Sequence, residues 1–540
     1  MNRPCLLSAS LTLACVPAAP EGACYLDAHC PAELACIEGL CAMPAESSSE
    51  NSYDIPDDIK LDVGGATPEI PASCTTALAI RTSAGCEFWA VDLPNAWHAS
   101  EPFSLDIAAD QQFAVVVANV SESEVARVSV FSGDDDDAIE IAQVQPLTTH
   151  TFALPEQSID PTANAVGLAF RVVSDVPITA YQFQPLDNLT PVYSNDASAL
   201  LPAHVLENDY LAVTSDALSL QMYPPGVWEP ELYDAGAFVT VIATVDDTHL
   251  ELYPTAKLQG GGGLDVVLSR GQTYTILSTA YTNEEGLDLQ GNLSGTRVIA
   301  DRPIAVFSGN VTAVEPRGTE ACCADHLEHQ MLPLVAWGSS YIAVPPPLPG
   351  NPGGDAPASY RITAAFDGTS LHYAGEMPAG APSTLDANET ATFTTDAPLL
   401  VASDPAHPFA VTQFLLSGGE NPGDSEDGDP GMIAQPALGQ LQSRYVFLAP
   451  SGYQENVVVV YAPTGAEVAV DGDAITSWRE LPEFEGGGWG FARVPIEPGA
   501  HVLIADRRTG IDVYGYDRNV SYAYAGGSAV QRISVAPPIP

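Results

Sequence analysis

Lysine is almost missing from this chain. Lys60 and Lys257 stand alone among 540 residues, and the 18 Lys and Arg together face 69 Asp and Glu, a formal net charge of −51. A polymer of that sign repels phosphate backbones and anionic lipid headgroups, which excludes nucleic acid and acidic membrane surfaces as partners. Long apolar runs are also lacking: beyond the amino-terminal stretch none reaches the roughly eighteen residues a spanning helix needs, so no transmembrane span is expected. Helical periodicity is scarce, Ala324–Pro333 being the one stretch that suggests it. Motifs of catalysis are missing as well. There is no G-x-S-x-G, no G-K-S/T and no H-E-x-x-H, and of the 10 histidines only His326 and His329 lie close together. The expectation is a protein without catalytic residues or a cofactor.

What is present is apolar, turn-rich and repetitive. The chain is 46% hydrophobic and 16% charged, a globular composition, and its 44 Gly and 46 Pro separate short β-branched runs. The segment Val298–Asn310 (VIADRPIAVFSGN) recurs as Phe170–Phe183, as Leu400–Phe414 and, more loosely, as Val502–Tyr516. Its marker aspartates, Asp175, Asp301, Asp404 and Asp506, are spaced by 126, 103 and 102 residues, a domain period rather than a solenoid period. Each copy reads as a strand, an Asp-x-Pro turn and a second strand. Ahead of each lie an apolar strand, a strand of alternating character and a third short strand. Even spacing of short strands predicts an all-β fold of tandem antiparallel β-sandwich-like units preceded by a small disulfide-rich module. The units fall at about 71–190, 191–315, 316–418 and 432–540.

The first 19 residues read as a secretory signal, with one Arg, an apolar core and small residues after it. Leu13-Ala14-Cys15 is a degenerate lipobox, making Cys15 a lipidation candidate against plain cleavage after Ala18 or Ala19. Residues 20–44 hold Cys24, Cys30, Cys36 and Cys41 at spacings that lack the paired C-x2-C knuckles of zinc modules, so two disulfides are expected there. Residues 45–70 form a Ser-, acid- and Pro-rich linker. Cys74 and Cys86 flank a predicted hairpin, and with Cys322 and Cys323 they bring the exported cysteines to an even eight. Cys322 and Cys323 have two options, pairing with Cys74 and Cys86 or with each other.

The densest polar cluster is Glu320–Gln330 (EACCADHLEHQ). On a helix His326 and His329 would share a face, as would Asp325 and His329, making Asp325, His326 and His329 weak metal candidates and, with Glu328, the site of an alternative metal-dependent hydrolase. The preferred reading is a disulfide-anchored loop. Asp134–Asp137 and Asp424–Asp429 are acidic loops without EF-hand spacing; solvated turns are expected, with calcium the alternative for the second.

Several pieces, taken in chain order, resemble one family. They are Gly85-Cys86-Glu87-Phe88-Trp89-Ala90, Ser174-Asp175 with Pro177 through Phe183, Ser194 through Ser198 with Leu200-Leu201-Pro202, Cys322 through Glu328, Gly428 through Met432, and Val470-Asp471-Gly472 after Tyr453 and Asn456. This order is similar to bacterial members of the IgGFc-binding protein N-terminal domain family. The resemblance implies a secreted or surface-exposed binding region and brings no catalytic residues. The expected function is an exported cell-surface or extracellular binding or adhesion protein that presents β-sandwich surfaces to a protein or glycan, aided by Trp228, Trp337 and Trp489. A structural surface-coat spacer is the second alternative.

Overall fold

The computed structural model describes residues 35–37, 40–42, 70–96, 108–157, 159, 166–186, 194–222, 231–261, 263–282, 288–317, 324–422 and 427–537. The chain divides into two compact units, Met1–Asp62 and Val63–Pro540. In the first, Ala35–Ile37 pairs antiparallel with Leu40–Ala42, which sets Cys36 opposite Cys41. The signal segment, the linker, Cys15, Cys24 and Cys30 lie outside the described residues.

The second unit is built almost wholly of antiparallel strands, as the short β-branched runs predict. Four successive blocks repeat one order. An opening strand (Gly85–Ala90, Glu207–Leu211, Ser340–Ala343, Gln442–Ala449) precedes an inner strand (Ala114–Asn119, Ala237–Ala243, Ala358–Ala364, Glu455–Pro463). Next come an alternating strand, short edge strands and a long strand (Phe170–Gln184, Arg297–Ala313, Gly499–Asp517), and a closing strand ends the block (Asp196–Ala199, Asp325–Gln330, Met432–Ala434, Val520–Ala525). The first three inner strands are buried along their whole length, because both faces are covered; this is why they read as unbroken apolar runs.

The recurring Asp-x-Pro segment corrects one expectation. It is not a hairpin. In three blocks it is a bend inside one continuous strand whose two halves pair with different neighbours. In the second block Arg297–Ala300 pairs with Thr248–Tyr253, whereas Ile304–Asn310 pairs with the inner strand and Phe307–Ala313 with the closing strand. The opening strand spans the bend with a bulge, Asp209 facing Ile299 and Glu207 facing Ile304. The same irregularity falls at Gly85/Glu87 and Gln442/Arg444. Pro303 lacks the N–H a straight ladder would use, so it is tolerated where the strand changes partner. The marker aspartates serve the bend: Asp175, Asp301 and Asp506 accept the backbone N–H of Arg127, His249 and Glu467 at 2.7, 2.8 and 2.8 Å. Only in the third block does the strand break, into Leu399–Ala402 and Phe409–Leu415, and there Asp404 accepts from Ala406 N in its own turn at 2.9 Å. Replacing Asp301 or Asp506 by Ala is expected to cost about 1 kcal/mol each, read as a lower urea midpoint with unchanged slope.

A buried tyrosine on the opening strand stitches the same place. Tyr210 Oη accepts from Glu207 N at 3.0 Å and donates to the Ile304 carbonyl at 2.9 Å. Tyr341 links Gly338 N to the Phe409 carbonyl, and Tyr445 links Gln442 N to that of Thr509, in the same way. Phe88 holds the equivalent position in the first block. Gly309, opposite Phe238 in the ladder, shows why the segment ends in Ser-Gly-Asn: a Cβ there would lie 1.7 Å from the Leu327 carbonyl oxygen.

The closing strands form a circuit. Asp196–Ala199 lies beside Asp325–Gln330, which neighbours Met432–Ala434; that strand meets Val520–Ala525, which returns to Asp196–Ala199. After Ala525 the chain runs back over the starts of the blocks. Val530 O accepts from Arg81 Nε, Ala529 N donates to Gln440 O, and Ile533 N donates to Val335 O.

Candidate functional site

Acids stand at or just before three of the closing strands: Asp196, Asp325 and Asp429. The circuit carries them to the centre of the second unit, where they are 1%, 0% and 1% exposed. Asp196 accepts from Ala197 N at 2.9 Å, from Glu328 N of the second block at 3.1 Å and from Met432 N of the third at 3.3 Å. Asp325 Oδ1 accepts from Asn195 N at 2.6 Å and His326 N at 2.7 Å. Asp429 takes the Ser521 hydroxyl of the fourth block on Oδ1 at 3.0 Å and on its carbonyl at 2.6 Å. Asn195 Nδ2 donates to Tyr453 Oη. Carboxylates and hydroxyls thus do between blocks what ladder bonds do within them. Asp196 and Ser198 take the N–H groups of Glu328 and Gln330, two residues apart on both strands.

Among the described residues no arginine or lysine is hydrogen-bonded to these three carboxyls. Burial therefore pushes all three well above the usual carboxylate range. Asp325 and Asp429 face each other within hydrogen-bond reach, and the Oδ2 atom of each has no other partner. Two buried carboxyls so placed share a proton, because two adjacent charges in a dry site cannot both persist.

The sequence-predicted cluster lies in this hub but not on a helix. Asp325–Gln330 is a strand, so alternate residues share a face: His326 sits with Glu328, and His329 points the opposite way with Asp325. Strand pairing to Phe307–Ala313 overrides the helical spacing. His326 stacks on Phe238 with centroids 5.8 Å apart, and burial lowers its imidazole to about 3. Burial lowers His329 to about 4 and raises Glu328, which accepts from Gln182 Nε2 at 2.9 Å. His326 Nε2 is 3.7 Å from Glu328, a contact between two neutral groups rather than an ion pair. Among the described residues no three His, Cys, Asp or Glu side chains are placed to hold a metal.

Other candidates fall elsewhere. Cys74 is bonded to Cys86, Cα atoms 5.6 Å apart, which removes the option of pairing either with Cys322 or Cys323. The intervening stretch is not a hairpin: it begins as a helical turn, Cys74–Ala77, capped by Ser73. Cys322, Cys323, Trp228 and Asp424 lie outside the described residues. Trp337 and Trp489 are buried in the core and unavailable as contact aromatics. Asp134 pairs with Arg270 at 3.0 Å. A feature the motif search missed is a polar cleft of about 510 Å³ between the second and third blocks, with Arg317 and Arg361 on its lining. Its one trace in the sequence is the alternating Thr-x-Thr-x-Thr of residues 390–394.

A family model described as IgGFc binding protein matches residues 196–515. The chain belongs to this family. The match to the IgGFc-binding family opens on Asp196 and runs into the long strand of the fourth block, so it contains the three hub acids and the residues of the cleft. No curated protein matches the chain. A solved structure of an anti-sigma factor domain-containing protein from Clostridium clariflavum aligns at 8% identity over 74% of this chain and 99% of its own. Its TM-score of 0.10 carries no structural likeness. No helix among the described residues is long and apolar enough to cross a membrane.

Proposed function

We propose that this IgGFc-binding family member is an exported binding protein that presents the outer surfaces of its four blocks to an extracellular protein or glycan, without catalytic turnover. The observation that carries the reading is the family match over residues 196–515. The hub supports it: the side chains best suited to chemistry, Asp325, His326, Glu328 and His329, are buried rather than open to a substrate, and Asp325 and Glu328 are bonded to Asn195 and Gln182 of the first block. The signal-like start and the Cys74–Cys86 bond fit an oxidising compartment outside the cell. The acidic surface favours partners that are neutral or basic where they touch it.

The test is capture by the chain, immobilised with its disulfide intact, from arrays of extracellular proteins, immunoglobulin Fc included, and of glycans. Saturable binding of at least one ligand, with no ligand consumed over a day, is expected. Steady conversion of a bound ligand to product, or stoichiometric zinc that His329→Ala removes, would replace this reading with the hydrolase.

A further inference from the structure

One joint between blocks lacks the apolar seam that closes the others. On each inner strand alternate residues face a neighbouring block. In the second block they include Phe238 and Ile242, which lie in one core with Phe113 and Phe170 of the first. In the fourth they include Val459 and Tyr461, which share a core with Ile342 and Leu415 of the third. Val116 of the first block packs in the same way with Phe447 of the fourth. The third block carries Ser359, Arg361 and Thr363 at these positions, paired across the ladder with Thr394, Thr392 and Thr390. A polar cleft of about 510 Å³ therefore stands where the other joints have a core. On its floor the Ser359 hydroxyl is fully buried and has no hydrogen-bond partner. A buried donor of this kind requires an acceptor.

The strand beside the inner strand differs in step. In the second block Gln272–Leu277 is covered: its start pairs antiparallel with Val166–Leu168 of the first block, and Leu277 O accepts from Gln259 N at 2.8 Å. In the fourth, Gly487–Pro495 is covered by Arg479–Phe484. Thr390–Thr395 is the outermost strand of its sheet, and among the described residues nothing pairs with that edge. Ala364 N donates to Glu389 O at 3.1 Å, so the ladder bonds run through the odd-numbered residues, and Thr390, Thr392 and Thr394 turn their N–H and C=O outward. The segment TATFTT contains no charge, Pro or Gly, the usual guards of an open edge. Thr149–Ala153 of the first block is outermost too, but the inner strand beside it closes its joint with Val116. We propose that Thr390–Thr395 is a docking edge that takes an extended segment of a partner protein as an added antiparallel strand, in the place that Val166–Leu168 fills on the second block. The inference rests on the binding-protein reading above. A second copy of the chain would bring a further net charge of −51 to the contact, so the occupant is a partner whose segment is neutral or basic. Val166–Leu168 also shows what fits. Gly167 N donates to Thr273 Oγ1 at 3.1 Å, and a Cβ there would lie 2.9 Å from that oxygen. Thr390 is the counterpart of Thr273 in the ladder, so a small residue is expected opposite it.

The test pans a displayed library of random hexapeptides on the full chain with its disulfide intact. The strongest binder is then synthesised unmodified and with N-methyl groups on alternate residues, in each of the two phases. An added strand uses every other N–H, so one phase is expected to weaken binding about tenfold or more while the other leaves it nearly unchanged. Thr392→Pro removes an outward N–H at a place where an edge strand tolerates proline, and should weaken the unmodified peptide about tenfold. Thr394→Lys, which sets a charge on the edge, should weaken it as well. No enriched peptide, equal effects of the two methylation phases, or parent affinity in both variants overturns the proposal. A concentration-dependent dimer that Thr392→Pro dissociates would assign the edge to a second copy and overturn the partner. A chain that captures an array ligand yet enriches no hexapeptide sinks this inference alone. A chain that cleaves the bound peptide sinks the non-catalytic reading instead.

Discussion

Ending the chain after Gly526 is expected to cost on the order of 5 kcal/mol of unfolding free energy. Residues 527–537 are the strap that joins the last block to the other three. Ser83 N donates to Ser528 O at 2.9 Å and Arg81 Nε to Val530 O at 2.9 Å, tying the strap to the first block. Gln531 Nε2 returns a bond to Arg81 O at 2.7 Å. Arg297 Nη2 reaches Pro537 O at 2.6 Å in the second block, and Ile533 N reaches Val335 O at 2.9 Å ahead of the third. Ala529 N and Gln531 N meet the carbonyl and side chain of Gln440 at 2.8 and 2.7 Å. Ala529 and Val530 are fully buried. About 0.5 kcal/mol for each of the seven bonds, most of them only partly buried, with about 1.5 for the valine, gives the total even when the exposed Arg532–Glu207 pair is left out. Urea unfolding followed by tryptophan fluorescence should show a lower midpoint and a first block, which contains Trp89, that melts ahead of the rest. An unchanged single transition would mean the closing strands alone hold the circuit.

The fold class was legible because burial on one or both faces leaves a direct mark on a strand. Val115, Val117 and Phe113 of the first block, or Val457 through Val460 of the fourth, have no solvent face and so no polar alternation. The bend was misread for a physical reason. Asp and Pro are turn residues by local preference, but here Asp301 satisfies a neighbouring strand and Pro303 sits where a ladder bond changes partner. Only pairing across 44 to 50 residues on one side of the bend, and across 61 to 73 on the other, distinguishes that from a hairpin. The Asp325–Gln330 cluster was found as a cluster and misplaced as a helix, since its i, i+3 histidine spacing carries no trace of the strand beside it. Asp196 and Asp429 went unlinked to Asp325 because they lie 129 and 104 residues from it and meet it only through the four-block circuit. Arg361 was invisible for a plainer reason: an arginine between Tyr360 and Ile362 reads as an outward residue of an ordinary strand.

Those linked acids lead to the second large effect, a loss of stability as pH rises above 7 that Asp325→Asn reduces. Folding raises Asp196, Asp325, Asp429 and Glu328 well above the ordinary carboxylate value, and Asp92 and Asp512 to about 7, chiefly by burial. Between roughly pH 4 and its folded pKa, each such group holds a proton that the unfolded chain has released. The unfolded state then binds fewer protons, so stability falls with rising pH, by up to about 1.4 kcal/mol per pH unit for each proton retained. The buried histidines act the other way. His204 and His329, lowered to about 4, and His326, lowered to about 3, stay neutral where the unfolded chain protonates, so they remove stability as pH falls below about 6.5. Asp355, held down by Arg479 and Arg493, loses its contribution only as pH falls through the lower carboxylate range. From pH 7 to 9 the histidines are silent, and the buried carboxyls act without them, Asp92 and Asp512 near the lower end of the window. Thermal midpoints should therefore decline steadily across that window. Asn at position 325 keeps an oxygen for Asn195 N and His326 N and offers Asp429 an N–H in place of the shared proton. The variant should match or exceed the parent at pH 9 with a shallower slope, while Asp301→Asn on the exposed bend leaves the slope unaltered. A parent midpoint that is flat from pH 7 to 9 would show that the acids are ionised and compensated. A rise at pH 9 on adding calcium would identify a cation as the compensator, seated between Asp325 and Asp429 in place of the shared proton.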